Sequence, residues 1–417
     1  MKPSTESGLS RRSFGRLAAG TAAALPAAAA LAACAEESDP NTVTFLSWDG
    51  AVTMDPVIAE FKKQYPDYKV EATYPGGGAP YIQKLQTQLG SDSAPDVFII
   101  TAENKKQLID AALVQDLGGE PWAANLADAA IATYSRDGKL YGSAVSAWGG
   151  GLAVNNAVLD PLGEFPADWD SFLDLCGRIR DTGVRAIMEA VDSITATLAA
   201  LLGQQNVAYG GTMDQQIFDG DLTFEEAWTP AVAAWYRLFE EGHLDNAAAG
   251  TTYDQVIQEF QQGRTAMISA GSWGLPGIVE GAPDLDLTFK AAPGIAGVPY
   301  WCGAVSPGLA LNAKAKQPEA AKKFIDWMST KAGVEVYQEV NQNITTTKDF
   351  EPELPAEFDE LVPAVRAGEY YLPSASWPDF SDALATESTA LVQQLASGQI
   401  GPEDVGKGMD AKLDSLR

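Results

Sequence analysis

The sequence predicts an α/β protein of two lobes, and three observations predict it. Between residues 42 and 113, short apolar or alternating runs take turns with helical stripes, the order that builds a parallel sheet layered with helices. The chain, at 417 residues, is longer than one ordinary core organises, and its length suggests two or three domains. The middle of the chain is richer in helical spacing than its start.

The elements follow in order. Residues 42–47, "TVTFLS", read as a first strand. Asp55-Pro56 reads as the cap and first turn of a helix, because proline's missing N–H costs nothing there. Its buried stripe is Val57, Ile58, Phe61 and Tyr65, and Pro66 ends it. Residues 70–74, "VEATY", alternate like a second strand, and Gly76-Gly77-Gly78 loops into a helix over 81–89. Residues 95–100, "PDVFII", form a short continuously apolar run, which fits a strand covered on both faces. A helix with Leu108, Ile109, Ala112 and Leu113 on one side follows. Helical spacing then runs over 169–179, 194–202, 230–240 and 253–262, with strands at 265–269 and 309–311. Pro318 opens a helix with the stripe Ala321, Phe324, Ile325, Met328, and the tail from Pro352 is a proline-rich loop and then helix.

The first 33 residues stand apart. Arg11-Arg12 with Phe14 looks like a twin-arginine export signal. An alanine-rich segment over 17–33 follows, shorter than the ~20 apolar residues that span a bilayer. It reads as a signal peptide. Leu31-Ala32-Ala33-Cys34 is similar to the bacterial lipobox, so Cys34 is expected to carry the lipid, with residues 34–41 as a linker. Two acyl chains hold a protein at a membrane surface.

Charge excludes several classes. The formal net charge is −28, and Lys2, Arg11, Arg12 and Arg16 against Glu6 give the leader +3, which leaves −31 beyond it. Such a field repels phosphate backbones, so nucleic acid is not an expected partner. His243 is the single histidine, at a helix exit, where a charge partner of the helix end or a solvated loop is expected. One histidine and few cysteines leave little for a metal site, and no metal or cofactor is expected. A Ser-His-Asp triad elsewhere is likewise excluded. Cys176 lies on the stripe Trp169, Phe172, Leu173, Ile179 and is expected to be a buried free thiol; a disulfide with Cys302 is the alternative.

At this point a family resemblance becomes visible. The ordered phrases "VIAEFKKQYPDYKVEA", "YIQKLQTQLGSDSAPDVFII", "AALVQDL", "DGKLYGSAVS", "VIQEFQQGRTAMISAGSWGLPG" and "KQPEAAKKFIDWMST" resemble the extracellular solute-binding proteins of ABC importers, in the carbohydrate-binding, maltose-binding-like family. The resemblance implies a two-lobe periplasmic-binding-protein-like fold with ligand in the interlobe cleft. It implies a first lobe of 42–146 and 295–344, and a second of 147–294 and 345–417. Crossings would fall at 146–150, 292–295 and near Thr345, and "AWGGGLAV" reads independently as a hinge, since glycine absorbs large φ/ψ changes. The implied partners are a carbohydrate, the membrane permease subunits and the lipid anchor at Cys34, on the extracytoplasmic face of the cell membrane; a monomer is expected.

Sugars offer flat C–H patches to aromatic faces and hydroxyls to fixed polar groups. Trp48 and Asp49 follow the first strand, and Glu103 and Asn104 follow the strand ending at Ile100, so both pairs reach the strand-end rim where α/β folds place ligand. Trp273 follows the strand over 265–269 in "AGSWGLP", the family's recurrent aromatic platform. Trp148 in the hinge, Trp301 in a loop among Gly297, Pro299 and Gly303, Trp377 in "PSASWPDF", and Asp192 complete the ligand-binding candidates. Each has a structural rival: loop or hinge packing for the tryptophans, salt bridging for the acids, helix capping for Asn104 and Asp192. Trp169, Trp235 and Trp327 read as core. A tethered glycoside hydrolase is the rival function, and it needs two carboxylates facing across a cleft. No such pair stands out, Gly271-Ser272-Trp273-Gly274 is not a nucleophile elbow, and Gly76-Gly77-Gly78 lacks a phosphate loop's lysine-serine ending. No catalytic residue is therefore expected.

Overall fold

The computed structural model describes residues 39–417 except 77, 78, 92 and 342. The signal peptide, the lipobox and Cys34 lie outside the described residues. Among the described residues no helix is long and apolar enough to cross a membrane. The strands are β1 (Thr42–Leu46), β2 (Lys69–Thr73), β3 (Val97–Ile100), β4 (Ser135–Arg136), β5 (Lys139–Leu140), β6 (Ser146–Asn155), β7 (Arg185–Met188), β8 (Thr265–Gly271), β9 (Leu287–Lys290), β10 (Trp301–Val305), β11 (Gly308–Leu311), β12 (Ile344–Thr345) and β13 (Tyr370–Tyr371).

Two sheets organise the two lobes. The first has the order β11-β3-β1-β2, with β1 parallel to both β2 and β3, and β11 antiparallel to β3. Every residue of β3 is buried, as its unbroken apolar run requires. Phe45 on β1 packs edge-on against Phe324, which also meets Phe61 at 5.2 Å. The second sheet has the order β13-β10-β6-β8-β7, with β9 and β12 also paired to β6. Its core holds Trp169, Trp228 and Trp235, all buried, and Trp327 is buried in the first lobe. Cys176 and Cys302 are buried free thiols, not a disulfide.

The connections differ from expectation at one place. Ser143 still bridges Leu309 of the first sheet, and β6 begins three residues later in the second. The return does not come at 292–295. There Ala292 pairs with Tyr300, and Gly294 pairs with Asp168, so the glycines and prolines of this stretch make a turn within the second lobe. Strand β10 is still antiparallel to β6, and the chain changes sheets at the cis Ser306–Pro307 bond, before β11 pairs with β3. Residues 301–305 thus belong to the second lobe, not the first. Strand β12 touches the start of β6 at Ser146 and Ala147, and residue 347 then bridges Leu126.

Two helix starts also differ, for one reason. Pro56 and Pro230 lie inside the helices Ala51–Gln64 and Phe224–Glu240 rather than opening them. The second helix begins at a capping box, Thr223 with Glu226. Pro56 removes a bond to the carbonyl of residue 52, and Val52 is 86 % exposed, so water can serve that carbonyl.

The glycines of "AWGGGLAV" are in extended backbone, and they allow close approach. A Cβ on Gly149 would stand 2.6 Å from Leu361 Cδ1 and Val365 Cγ2, and one on Gly151 would stand 2.4 Å from the carbonyl oxygen of Lys290. Only a residue without a side chain lets β6 sit this near its neighbours.

Candidate functional site

Between the lobes lies a cleft of two chambers, of 650 Å³ and 500 Å³, that share Glu103, Trp148 and Trp273 as a common wall. Their position follows from the sheets. Trp48 and Asp49 emerge after β1, Glu103 and Asn104 after β3, and Trp273 after β8, while Trp148 stands on β6 itself.

Trp273 is built into place by glycine. Its indole lies over β6 and β8 so closely that a Cβ on Gly150 would stand 2.8 Å from Cη2, and one on Gly271 would stand 2.0 Å from Cζ3. Trp148 meets it edge-on, with ring centroids 5.2 Å apart and planes at 90°. This T-shaped geometry puts a ring edge against a π face. The seated indole is nevertheless 46 % exposed, an apolar surface turned into both chambers.

The larger chamber is bounded by Trp48, Asp49, Asn104, Asn341 and Asp382. Trp48 leans on Tyr81, with centroids 5.3 Å apart. The Tyr81 hydroxyl donates to the Ile99 carbonyl at 2.8 Å and accepts from the Ile99 N–H at 2.7 Å, which fixes the end of β3. Asp49 accepts a hydrogen bond from Tyr337 Oη at 2.9 Å. Burial lifts its carboxyl above the usual carboxylate range, and the hydrogen bond from Tyr337 opposes that rise. Asn104 occupies the N-cap position of helix Lys105–Asp110, yet its side chain does not cap it. Its Oδ1 accepts from the Thr101 N–H at 2.8 Å.

The smaller chamber is bounded by Asp192, Tyr253, Ser269, Cys302, Ser388 and Trp377. Asp192 is exposed, and Thr195, not Asp192, caps the helix Ala196–Ala208. Trp377 is 3 % exposed and stacks on Trp228 with centroids 6.1 Å apart. It is core in its face and wall at its edge, and its Nε1 has no hydrogen-bond partner among the described residues. Tyr253 Oη is likewise buried and unpaired.

One candidate leaves the site. Trp301 is not in a loop: it opens β10, is 5 % exposed, and covers the bare backbone of Gly151, where a Cβ would meet its ring at 3.1 Å. Glycine and proline neighbours suggested a loop, but Gly297 and Pro299 belong to the turn just before the strand and Gly303 lies within it, paired with Gly149 of β6. His243 is also more buried than a helix exit suggests. It contacts Arg180 and Glu241, and burial with the Arg180 charge holds it below the usual imidazole range.

The sequence reading missed Tyr253, Tyr337, Asn341 and Asp382. Tyr253 is the first residue of a capped helix, which concealed it as a helix former. Tyr337 and Asn341 share one face of the helix Lys331–Asn341 at i, i+4 spacing, and that periodicity was the available signal. Asp382 follows Trp377 by five residues and accepts from Gln107 at 3.0 Å.

The described lining of the two chambers includes Asp49, Glu103, Asp192 and Asp382 and no lysine or arginine. An anion would enter such a cleft against repulsion. Among the described residues no group of histidine, cysteine and carboxylates is placed to hold a metal ion.

Two α/β lobes, three connections between them and an aromatic cleft at strand ends define a protein that holds a solute between its halves. The chain belongs to the family of bacterial extracellular solute-binding proteins, whose signature matches residues 48–335. It is 23 % identical over 394 residues to the multiple sugar-binding protein of Streptococcus mutans serotype c, covering 88 % of this chain and 91 % of that one. A family 1 extracellular solute-binding protein from Bifidobacterium longum subsp. infantis superposes with a TM-score of 0.76 at 28 % identity, over 90 % of this chain and 99 % of its own. RafE of Streptococcus pneumoniae, solved with raffinose, superposes at 0.74 over 90 % and 99 % of the two chains, and at 17 % identity that likeness is one of fold.

Proposed function

We propose that the chain captures a sugar, of disaccharide or oligosaccharide size, by closing its lobes on it, and delivers it to the permease subunits of an ABC importer. The observation that carries this reading is the Trp273 indole, seated on glycine, half-exposed, and facing two chambers that together exceed one sugar ring. Carboxylates and amides on the rims suit hydroxyl groups, since an ionised acceptor makes the stronger hydrogen bond. With no lysine or arginine among the described lining residues, a neutral or amine-bearing sugar is favoured over an acidic one. Trp48, Asp49, Glu103, Asn104, Trp148, Asp192 and Trp377 are the further contacts in this reading, with Tyr253 and Asp382 added. Closure requires that the ligand make contacts in the closed form that it lacks in the open one. Lipidation of Cys34 after twin-arginine export would keep the protein at the outer face of the membrane as a monomer, beside its permease.

A thermal-shift screen over neutral, amino and acidic oligosaccharides tests this, because a ligand that binds only the folded form raises the unfolding temperature. The expected result is stabilisation by at least one neutral or amino sugar, with the sugar recovered unchanged. Recovery with new reducing ends would instead make the chain a glycoside hydrolase.

A further inference from the structure

A second cavity of 240 Å³ lies behind the hinge. Strand β6 separates it from the cleft: successive side chains of a strand point to opposite faces, and Ala147 lines this cavity while Trp148 lines the cleft. Each interlobe connection contributes to its wall, through Ala147 at the start of β6, Val305 just before the cis bond, and Thr345 on β12. Ala127 and Ala129 close it from the first lobe, and Val365 and Arg366 from the helix Leu361–Ala367, which packs against β6 and β10 of the second.

The cavity's chemistry is specific. Ala147, Val305, Ile344, Phe350 and Val365 give an apolar interior. Thr347 is 9 % exposed, and its Oγ1 has no hydrogen-bond partner among the described residues, whereas the Thr345 and Thr346 hydroxyls donate to the carbonyls of Phe350 and Ala144. Two cations border it, in a chain with twice as many acids as bases. Lys348 pairs with Asp128 at 3.3 Å and Arg366 pairs with Glu351, and those carboxylates are 97 % and 75 % exposed. Pairs with such exposed partners are weak and exchange easily. A cavity of ~150 Å³ already admits a benzene ring, so this one has room for a ring and a carboxylate.

We propose that this cavity is a second binding site, for a small organic carboxylate with an apolar body. The carboxylate replaces Glu351 on the Arg366 guanidinium, whose fork suits two oxygens. The body fills the apolar interior, and Thr347 Oγ1 gains a partner. The occupant touches both lobes behind the hinge axis, where closing the front moves the walls apart. It therefore favours the open form and couples negatively to the ligand in the cleft.

Benzoate tests the site in the full chain, followed by amide NMR. The expected result is saturable shifts at Ala147, Thr345–Lys348 and Val365, at least tenfold weaker binding by Arg366→Met, and weaker binding of neutral benzamide. Thr347→Val, which keeps the shape, weakens benzoate about threefold. Shifts that do not saturate, that are the same for benzamide and in Arg366→Met, or that map to Trp148 and Trp273, would overturn the proposal. These arms need no sugar, so their failure leaves the cleft reading intact. A further arm rests on that reading: with the cleft saturated by a sugar from the screen, benzoate binds several-fold more weakly. An unchanged affinity would overturn the hinge coupling.

Discussion

Replacing Trp273 with alanine removes the surface on which the binding reading depends, and the structure sets the size of the effect. The residue is 46 % exposed. Taking ~250 Å² for a whole tryptophan, roughly 115 Å² of indole is free for a ligand. At ~25 cal/mol per Å², covering half of that area is worth ~1.5 kcal/mol and covering all of it ~3 kcal/mol, so affinity should fall roughly tenfold to a hundredfold. Stability should change far less than for a core tryptophan, because part of the indole already faces water and its floor is glycine backbone; the loss of the edge contact with Trp148 is worth about 1 kcal/mol. Calorimetric titration with the best sugar from the screen, beside a thermal melt, separates the two effects. A folded Trp273→Ala protein that binds that sugar within twofold of the parent would refute the platform assignment.

Three further outcomes follow from the same geometry. Gly150→Ala pushes a methyl to 2.8 Å from the Trp273 ring edge, so it should displace the indole, alter its fluorescence and weaken sugar binding; Gly177→Ala, with nothing within 4 Å, is the silent control. Tyr253→Phe deletes a hydroxyl without a partner among the described residues, so it should leave the melt unchanged and cost about 1 kcal/mol of sugar affinity, read by the same titration. Asp214 is hydrogen-bonded by Tyr371 Oη at 2.9 Å to each oxygen, and burial pushes its carboxyl up to about 7. The folded form then binds this proton more tightly than the unfolded chain does. The group's stabilisation is complete below pH ~4 and is lost as pH rises to ~7, on the order of 4 kcal/mol in all. Asp214→Asn, a neutral acceptor for Tyr371, should remove that slope, and urea unfolding at pH 4, 5.5 and 7 would show it.

What the sequence made legible was whatever depends on local order. The βαβ rhythm gave the first sheet, the residues just after β1, β3 and β8 gave the rim, and helical stripes sorted Trp169, Trp235 and Trp327 into the core. Three kinds of fact resisted. Pro56 and Pro230 were placed at helix starts, although both lie inside helices, and this displaced two helix boundaries. The glycines of β6 were read as conformational freedom, and the structure adds close approach to that reading; which partner approaches is a long-range fact. Trp301 and the late crossing at Ser306–Pro307 share a cause, since "PGIAGVP" announces a turn but not whether the chain leaves its sheet afterwards. Tyr337 was legible as a helix residue, but its bond to Asp49, 288 positions away, was not.

Acids with raised carboxyls stand at the rim or just behind it on both sides of the cleft, Asp49 half-buried in the chamber wall and Glu189 and Asp214 buried behind it, and their placement has a common logic. In the first lobe Tyr337 holds Asp49, next to Trp48. In the second, Glu189 follows β7 directly, accepts from Trp235 Nε1 at 2.9 Å and is fully buried, next to Ala190, which lines the chamber together with Asp192. Asp214 holds Tyr371, the residue before Leu372 and Pro373 of the chamber wall. Burial raises all three carboxyls above their ordinary range, so each site opposes a charge that solvent would favour. Three such costs at three rim segments make sense if what they supply is position: a strand end or loop held at one place before the ligand arrives loses less freedom on binding. It follows that Glu189→Gln, which touches no chamber, should lower sugar affinity only if the 190–192 segment shifts. Unaltered affinity together with unaltered amide shifts at Ala190 and Asp192 would mean that the buried acid serves the fold alone.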